Sequence, residues 1–237
     1  MLEVNPDLGW RDVQAILALS ASHTDPDDES WVTNGAGLRH SNKYGFGIVN
    51  ANSAVTMAET WVSYPPEIEL TAESGTIDLV IPDDPDQTVE STLPIDQGQA
   101  GFIVESVVIF IGYDHVKRGN LKIVLTSPSG TVSALHPSKR GENTTLPEGT
   151  KWELMTVSNW GESPAGDWTL SITDERLDAA DLSAINYLKS WDISIYGRYA
   201  TSAYPSQSPS ERPSASPIAK APLTMAGFFA ALALFLL

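Results

Sequence analysis

The chain has 237 residues, 42% hydrophobic and 19% charged, with a formal net charge of −16. That length can bury a real core, the composition is globular rather than disordered, and the acidity argues against nucleic acid as a partner. With no cysteine, disulfides and thiolate metal sites are excluded, although the compartment is not fixed by this.

The first residues, Met1-Leu2-Glu3-Val4-Asn5-Pro6-Asp7, are polar and acidic, without the basic and apolar regions of a signal peptide. Residues 5–19 read as helical: Asn5-Pro6-Asp7-Leu8-Gly9 supplies the entry turn, with Gly9 a permissive N-cap, and Trp10, Val13, Ile16 and Leu17 make one apolar stripe. Residues 20–47 are loop-rich, with Asp25-Pro26-Asp27-Asp28-Glu29, Asn34-Gly35 and the spaced glycines of Tyr44-Gly45-Phe46-Gly47. A second helix follows at 51–61, capped by Asn50 or Asn52, with Ala54, Val55, Ala58 and Trp61 on one side. Tyr64-Pro65-Pro66 then makes a stiff linker and a domain boundary.

From Glu67 to Gly197 the period changes to two. Leu121, Ile123 and Leu125, then Trp168, Leu170 and Ile172, then Trp191, Ile193 and Ile195 alternate with other residues, each set reading as a strand with one buried face. Phe102-Ile103-Val104 and Val107-Val108-Ile109-Phe110-Ile111 lack polar alternation and read as central strands covered on both faces. Ser127-Pro128-Ser129-Gly130 and Ser163-Pro164-Ala165-Gly166 are turns. Short strands with such turns and no helix between them predict an antiparallel β-sandwich, with Trp152, Trp160, Trp168 and Trp191 in its core. Residues 198–222 are a Ser/Pro-rich stalk, and 223–237 an uncharged run of Leu, Ala and Phe.

Two series of motifs resemble the kexin/furin-like proprotein convertases, a family of subtilisin-like serine proteases. The first is Asn5-Pro6-Asp7-Leu8-Gly9-Trp10-Arg11-Asp12-Val13-Gln14, Trp31-Val32-Thr33-Asn34-Gly35-Ala36-Gly37 and Tyr44-Gly45-Phe46-Gly47-Ile48-Val49-Asn50-Ala51. It is similar to the stretch after the catalytic serine, where a helix, a hairpin and a last helix close the α/β domain. The second is Ser127-Pro128-Ser129-Gly130-Thr131, Trp152-Glu153-Leu154-Met155-Thr156, Trp160-Gly161-Glu162-Ser163-Pro164-Ala165-Gly166-Asp167-Trp168 and Trp191-Asp192-Ile193-Ser194-Ile195-Tyr196-Gly197. It resembles the P, or Homo B, domain of the same proteases. The resemblance implies a mostly β fold. Residues 1–64 would be a helical remnant of the subtilisin-like catalytic domain, and 65–197 a jelly-roll-like P domain.

None of the family's triad signatures is present. The Gly-Thr steps at Gly75, Gly130 and Gly149 are followed by Ile77, Val132 and Lys151 rather than Ser-Ala, and no histidine precedes Gly-Thr. A subtilisin-type hydrolase needs Ser, His and Asp together, so no catalytic residue is assigned and this chain alone is expected to be inactive. No cofactor-binding or metal residue is assigned either. Asp25, Asp27, Asp28 and Glu29, like Asp83, Asp84 and Asp86, read as solvated acidic loops rather than Ca²⁺ ligands. His23, His40, His115 and His136 read as surface or loop residues. Lys117-Arg118-Gly119-Asn120 reads as a basic turn before a strand, and Lys117-Arg118 and Lys139-Arg140 are dibasic pairs on turns. Asn143-Thr144-Thr145 is a glycosylation sequon.

By the resemblance the full protein is a calcium-dependent serine endopeptidase that processes proproteins at dibasic sites. This chain would supply the P domain, and its catalytic partner would lie upstream of Met1. The terminal run of 15 residues is short for a span and resembles a GPI signal or marginal membrane anchor. The expected location is the secretory pathway (Golgi-like) or cell surface, membrane-attached. The competing reading is a triad-less, membrane-anchored β-sandwich binding module. Because the two helices need an apolar partner surface, residues 67–197 are expected to be the protease-resistant core.

Overall fold

A computed structural model of the chain describes residues 1–96, 101–115, 117–138, 149–175 and 186–200. Two helices and a hairpin come first. Helix α1 spans Trp10–Ser20, starting directly after the predicted N-cap Gly9, and the entry turn ahead of it holds Asn5. Its Nδ2 donates to the carbonyls of Ala58 (2.9 Å) and Trp61 (3.2 Å), satisfying the free C-terminal end of the second helix. Gly9 is the N-cap of α1, and its N–H donates to the Asp12 carboxylate at 2.8 Å. Helix α2 spans Ala51–Glu59, with Asn50 accepting the Ser53 N–H at 3.0 Å. Strands β1 (Trp31–Thr33) and β2 (Arg39–Ser41) pair antiparallel between the helices.

The helices bury Leu8, Ile16, Ala54 and Ala58 against each other, with Met1, Val13, Leu17, Met57 and Trp61 around them. Each therefore finds part of its apolar partner within the chain, contrary to the sequence expectation. Trp10 departs from its predicted stripe and is 70% exposed.

The sandwich comprises β3 (Ile68–Glu73), β4 (Leu79–Ile81), β5 (Thr88–Ile95), β6 (Phe102–Asp114), β7 (Leu121–Thr126), β8 (Val132–His136), β9 (Trp152–Thr156), β10 (Gly166–Asp174) and β11 (Asn186–Tyr199). One sheet has the order β5-β10-β7-β8; the other has β3-β11-β6-β9, with β4 also on β11. All their pairings are antiparallel. The predicted alternation is met: Leu121, Ile123, Leu125, Trp168, Leu170, Ile172, Trp191, Ile193 and Ile195 all enter one core between the sheets. Trp168 and Trp191 are fully enclosed, and their indole N–H groups donate to Pro164 O (2.8 Å) and Ser91 Oγ (2.9 Å). Trp160 is buried and Trp152 half-buried.

The two predicted strands at 102–104 and 107–111 are one strand, β6, central between β11 and β9. Its register against β11 shifts twice, between Leu188 and Ser190 and again near the start of β6, where Tyr196 faces Ser106 but Gly197 faces Val104. Glu105 is the extra residue of that bulge. A bulge re-aims the side chain it carries, and here the residue it carries is charged and 3% exposed. Gly197 is required opposite, since a Cβ there would lie 2.1 Å from the Ile103 carbonyl oxygen.

Candidate functional interface

Most of the buried charges and amides among the described residues, Arg11, Asp12, Asn34, Glu105, Asn159, Glu162 and Arg198, gather where the helical segment meets the sandwich. At the first contact Arg11, in the first turn of α1, reaches the Glu105 bulge with a two-pronged grip: Nε to Oε2 at 2.8 Å and a terminal nitrogen to Oε1 at 2.7 Å. Its other terminal nitrogen donates to the Pro65 carbonyl at 2.7 Å. Arg198, on β11, also donates to Glu105 Oε1 at 2.9 Å and stacks over the Tyr64 ring at 3.6 Å. Glu67, exposed at the rim, approaches Arg11 at 3.5 Å, so that two cations and two carboxylates form one cluster of which three members are buried. Burial alone would lower the Arg11 pKa, but Glu105, by hydrogen bond and charge, with Glu67 and Asp12, raises it above the ordinary value. The neighbouring Asp12 accepts from Trp61 Nε1 at 3.0 Å and from the Tyr64 N–H at 2.7 Å. Two adjacent residues of α1 thus tie the end of α2, the linker and the sandwich together.

The second contact is the tip of the β1–β2 hairpin. Asn34, 5% exposed, donates its amide to the carbonyls of Ser158 and Trp160, both at 2.9 Å, and its Oδ1 accepts from Ala36 N and Leu38 N. The Gly35 N–H donates to Glu162 Oε1 at 2.8 Å. Glu162, 2% exposed, also accepts from Thr131 Oγ1, Ser129 Oγ and Asn159 Nδ2. Its two oxygens are saturated by neutral donors, which is how a buried carboxylate is held without a cation. Gly35 has no space for a side chain: a Cβ would stand 2.3 Å from Ser129 Cβ. His40 Nδ1 lies 3.2 Å from Ser158 Oγ, and its ring meets Phe46 edge-on. Burial pushes the His40 pKa down.

Three of the four histidines are buried, against the surface reading. His115 accepts the Lys117 N–H at Nδ1 and meets Asp174 through Nε2 at 3.0 Å, so neither nitrogen is left for a nucleophile. His136 Nδ1 lies 2.7 Å from Leu121 O, and its ring packs against Trp152. His23 is exposed beside Arg39 and Trp31. Arg118 opens a 3₁₀ turn before β7 and lies over Trp152 at 4.8 Å.

Carboxylates of the acidic loops have protein partners. Asp28 is engaged by Ser30 N and Lys43, Asp25 by the Tyr44 hydroxyl, and Asp84 by Asp86 N and Gln87. Among the described residues no three acidic or histidine groups stand together to hold a metal. Among those residues no helix is long and apolar enough to cross a membrane. Asn143, Lys139-Arg140, most of the predicted stalk and the apolar tail lie outside the described residues.

Residues 104–195 match the family described as the proprotein convertase P-domain. A PC3-like endoprotease of Hydra vulgaris is 39% identical over 73% of this chain and 24% of its own length. The human proprotein convertases subtilisin/kexin type 5 and type 6 are each 35% identical over 83% of this chain, which covers 11% and 20% of them. The chain therefore spans a quarter or less of these relatives. A serine protease of Aeromonas sobria has the same fold, with a TM-score of 0.72 at 23% identity, over 83% of this chain and 42% of its own. The sandwich is thus a subtilisin-type protease P domain. The chain carries a P domain of the proprotein convertase family.

Proposed function

We propose that this chain is the back part of a subtilisin-like serine endopeptidase that cleaves proproteins after dibasic sites. Residues 1–64 are the closing elements of its catalytic domain, and the P domain holds them in place. The observation that carries this reading is the Arg11–Glu105–Arg198 junction, in which a charge enclosed by the sandwich grips the first turn of α1. Support also comes from the bare surface of the helical segment. Leu2, Val4, Trp10, Ile48, Val49 and Val62 are 44–70% exposed, an amount of apolar surface that fits contact with further chain. That further chain would be the upstream catalytic domain, carrying the triad and the calcium dependence that the family resemblance implies. Secretory localisation and attachment by residues 223–237 complete the proposal.

The test is a chimera. Residues 1–200 of this chain replace the corresponding part of a related convertase, and cleavage of a Lys-Arg peptide is measured with and without calcium. Calcium-dependent cleavage is expected, with loss in the Arg11→Ala chimera. A chimera that folds and is secreted but does not cleave would instead favour the membrane-anchored binding module.

A further inference from the structure

The hairpin tip carries a chemical liability that its own geometry forces on the chain. Succinimide formation at an Asn-Gly step needs the glycine nitrogen to reach the asparagine Cγ, and glycine offers no side chain to hinder it. Here neither residue can be exchanged for a safer one. Asn34 supplies two donors and one acceptor at once, to Ser158 O and Trp160 O and from Ala36 N and Leu38 N. Gly35 has no room for a Cβ. The docking contact is thus built from the dipeptide most prone to deamidate.

We propose that Asn34–Gly35 is a deamidation site that is protected while the hairpin is docked and that blocks redocking once it has reacted. In the docked state the attacking nitrogen is held. Its N–H points at the Glu162 carboxylate at 2.8 Å and lies 3.1 Å from Thr131 Oγ1. An amide facing a carboxylate resists losing its proton, and the leaving nitrogen, Nδ2, is fixed by two carbonyls. When the hairpin opens, these restraints vanish together. The deprotonated Gly35 nitrogen bonds to Asn34 Cγ, the Cγ–Nδ2 bond breaks, and ammonia leaves with the displaced proton. Water then opens the five-membered imide at either carbonyl, leaving aspartate or the isoaspartyl linkage at position 34. No oxidant or cofactor is needed.

The product cannot re-form the contact. A carboxylate at position 34 would set an anionic oxygen against the Ser158 and Trp160 carbonyls, where two N–H···O bonds of 2.9 Å stood. The isoaspartyl form adds a backbone methylene and moves Gly35 out of its close fit with Ser129. The hairpin thereby records past undocking as a covalent change.

Peptide mass spectrometry of the full 237-residue chain, incubated at mildly alkaline pH, tests this. The mass gain of about 1 Da at Asn34 is followed in native buffer and in concentrated urea. Native deamidation should be at least ~10-fold slower than in urea, since it must await local opening. Glu162→Ala in native buffer should be faster than wild type. Equal rates in native buffer and urea would overturn protection by docking. The thermal midpoint of the Asn34→Asp chain tests the second half: a lowered midpoint or failure to fold is expected, and an unchanged midpoint would overturn the block on redocking.

Discussion

Glu105 shows how far one residue can organise this chain. It sits in the middle of an apolar run, on a bulge, with two arginines as its only charged hydrogen-bond partners among the described residues. Replacing it by Gln leaves Arg11 and Arg198 enclosed without that anion. Removing one partner of a buried pair costs about 3–5 kcal/mol, so Glu105→Gln should lower the urea midpoint by that equivalent. A double-mutant cycle with Arg11→Ala should show strong coupling. His40 gives a pH dependence of definite sign. Burial depresses its folded pKa below the usual 6.5, so below pH 6.5 the unfolded chain takes up a proton that the folded chain refuses. Stability should fall as pH drops through 6.5 until the folded pKa is passed. In His40→Gln that component of the pH profile should be absent, which urea titrations between about pH 5 and pH 8 will read, a range chosen for histidine. Tyr113 behaves differently. Its hydroxyl is buried without a hydrogen-bond partner among the described residues, and burial pushes its pKa up to about 12. Removing an unsatisfied polar group is neutral or favourable, so Tyr113→Phe should unfold at the same or a higher urea concentration.

At the scale of elements, β7, β10 and β11 were legible because period two reports directly which face is covered, whereas β3, β4, β5 and β8 were not singled out. The strand around Ile123 is a case in point: Leu121 and Leu125 flank it at two-residue spacing, and all three enter the core as the pattern requires. The helices were legible in type but less so in extent. The N-cap Gly9 marked the start of α1 and α2 ends two residues before its predicted bound, whereas the service of Asn5, in the entry turn, to the end of α2 is a use that only tertiary structure reveals. Trp10 matched the helical stripe and stands in the open, since a stripe shows only that a surface is apolar. The hairpin offers the clearest element-level prediction. Gly35→Ala would force a Cβ into Ser129; overpacking of this kind costs about 1–3 kcal/mol. Hydrogen exchange should become faster in β1 and β2 while β7 and β10 keep their protection.

At the scale of the whole molecule, the junction was the part least legible in the sequence. Arg11 lies 94 residues from Glu105, and Asn34 lies 124 residues from Ser158; nothing local in the sequence pairs them. One signal was available: a single glutamate inside the apolar run 102–111 needs a partner if the strand is covered on both faces. The fold and its family were readable from motif order, whereas the attachment of one half to the other depends on a bulge that shifts register by one residue. That attachment changes the expected behaviour of the chain. Helices that pack on each other and are gripped by the sandwich should not fall away and leave a core at 67–197.

Hydrogen exchange of α1 in the wild-type chain and in Glu105→Gln tests this attachment most directly. The α1 amides should be protected nearly as well as those of β6, and Glu105→Gln should selectively remove that protection. Rapid exchange of α1 in the wild type, beside a protected sandwich, would contradict it.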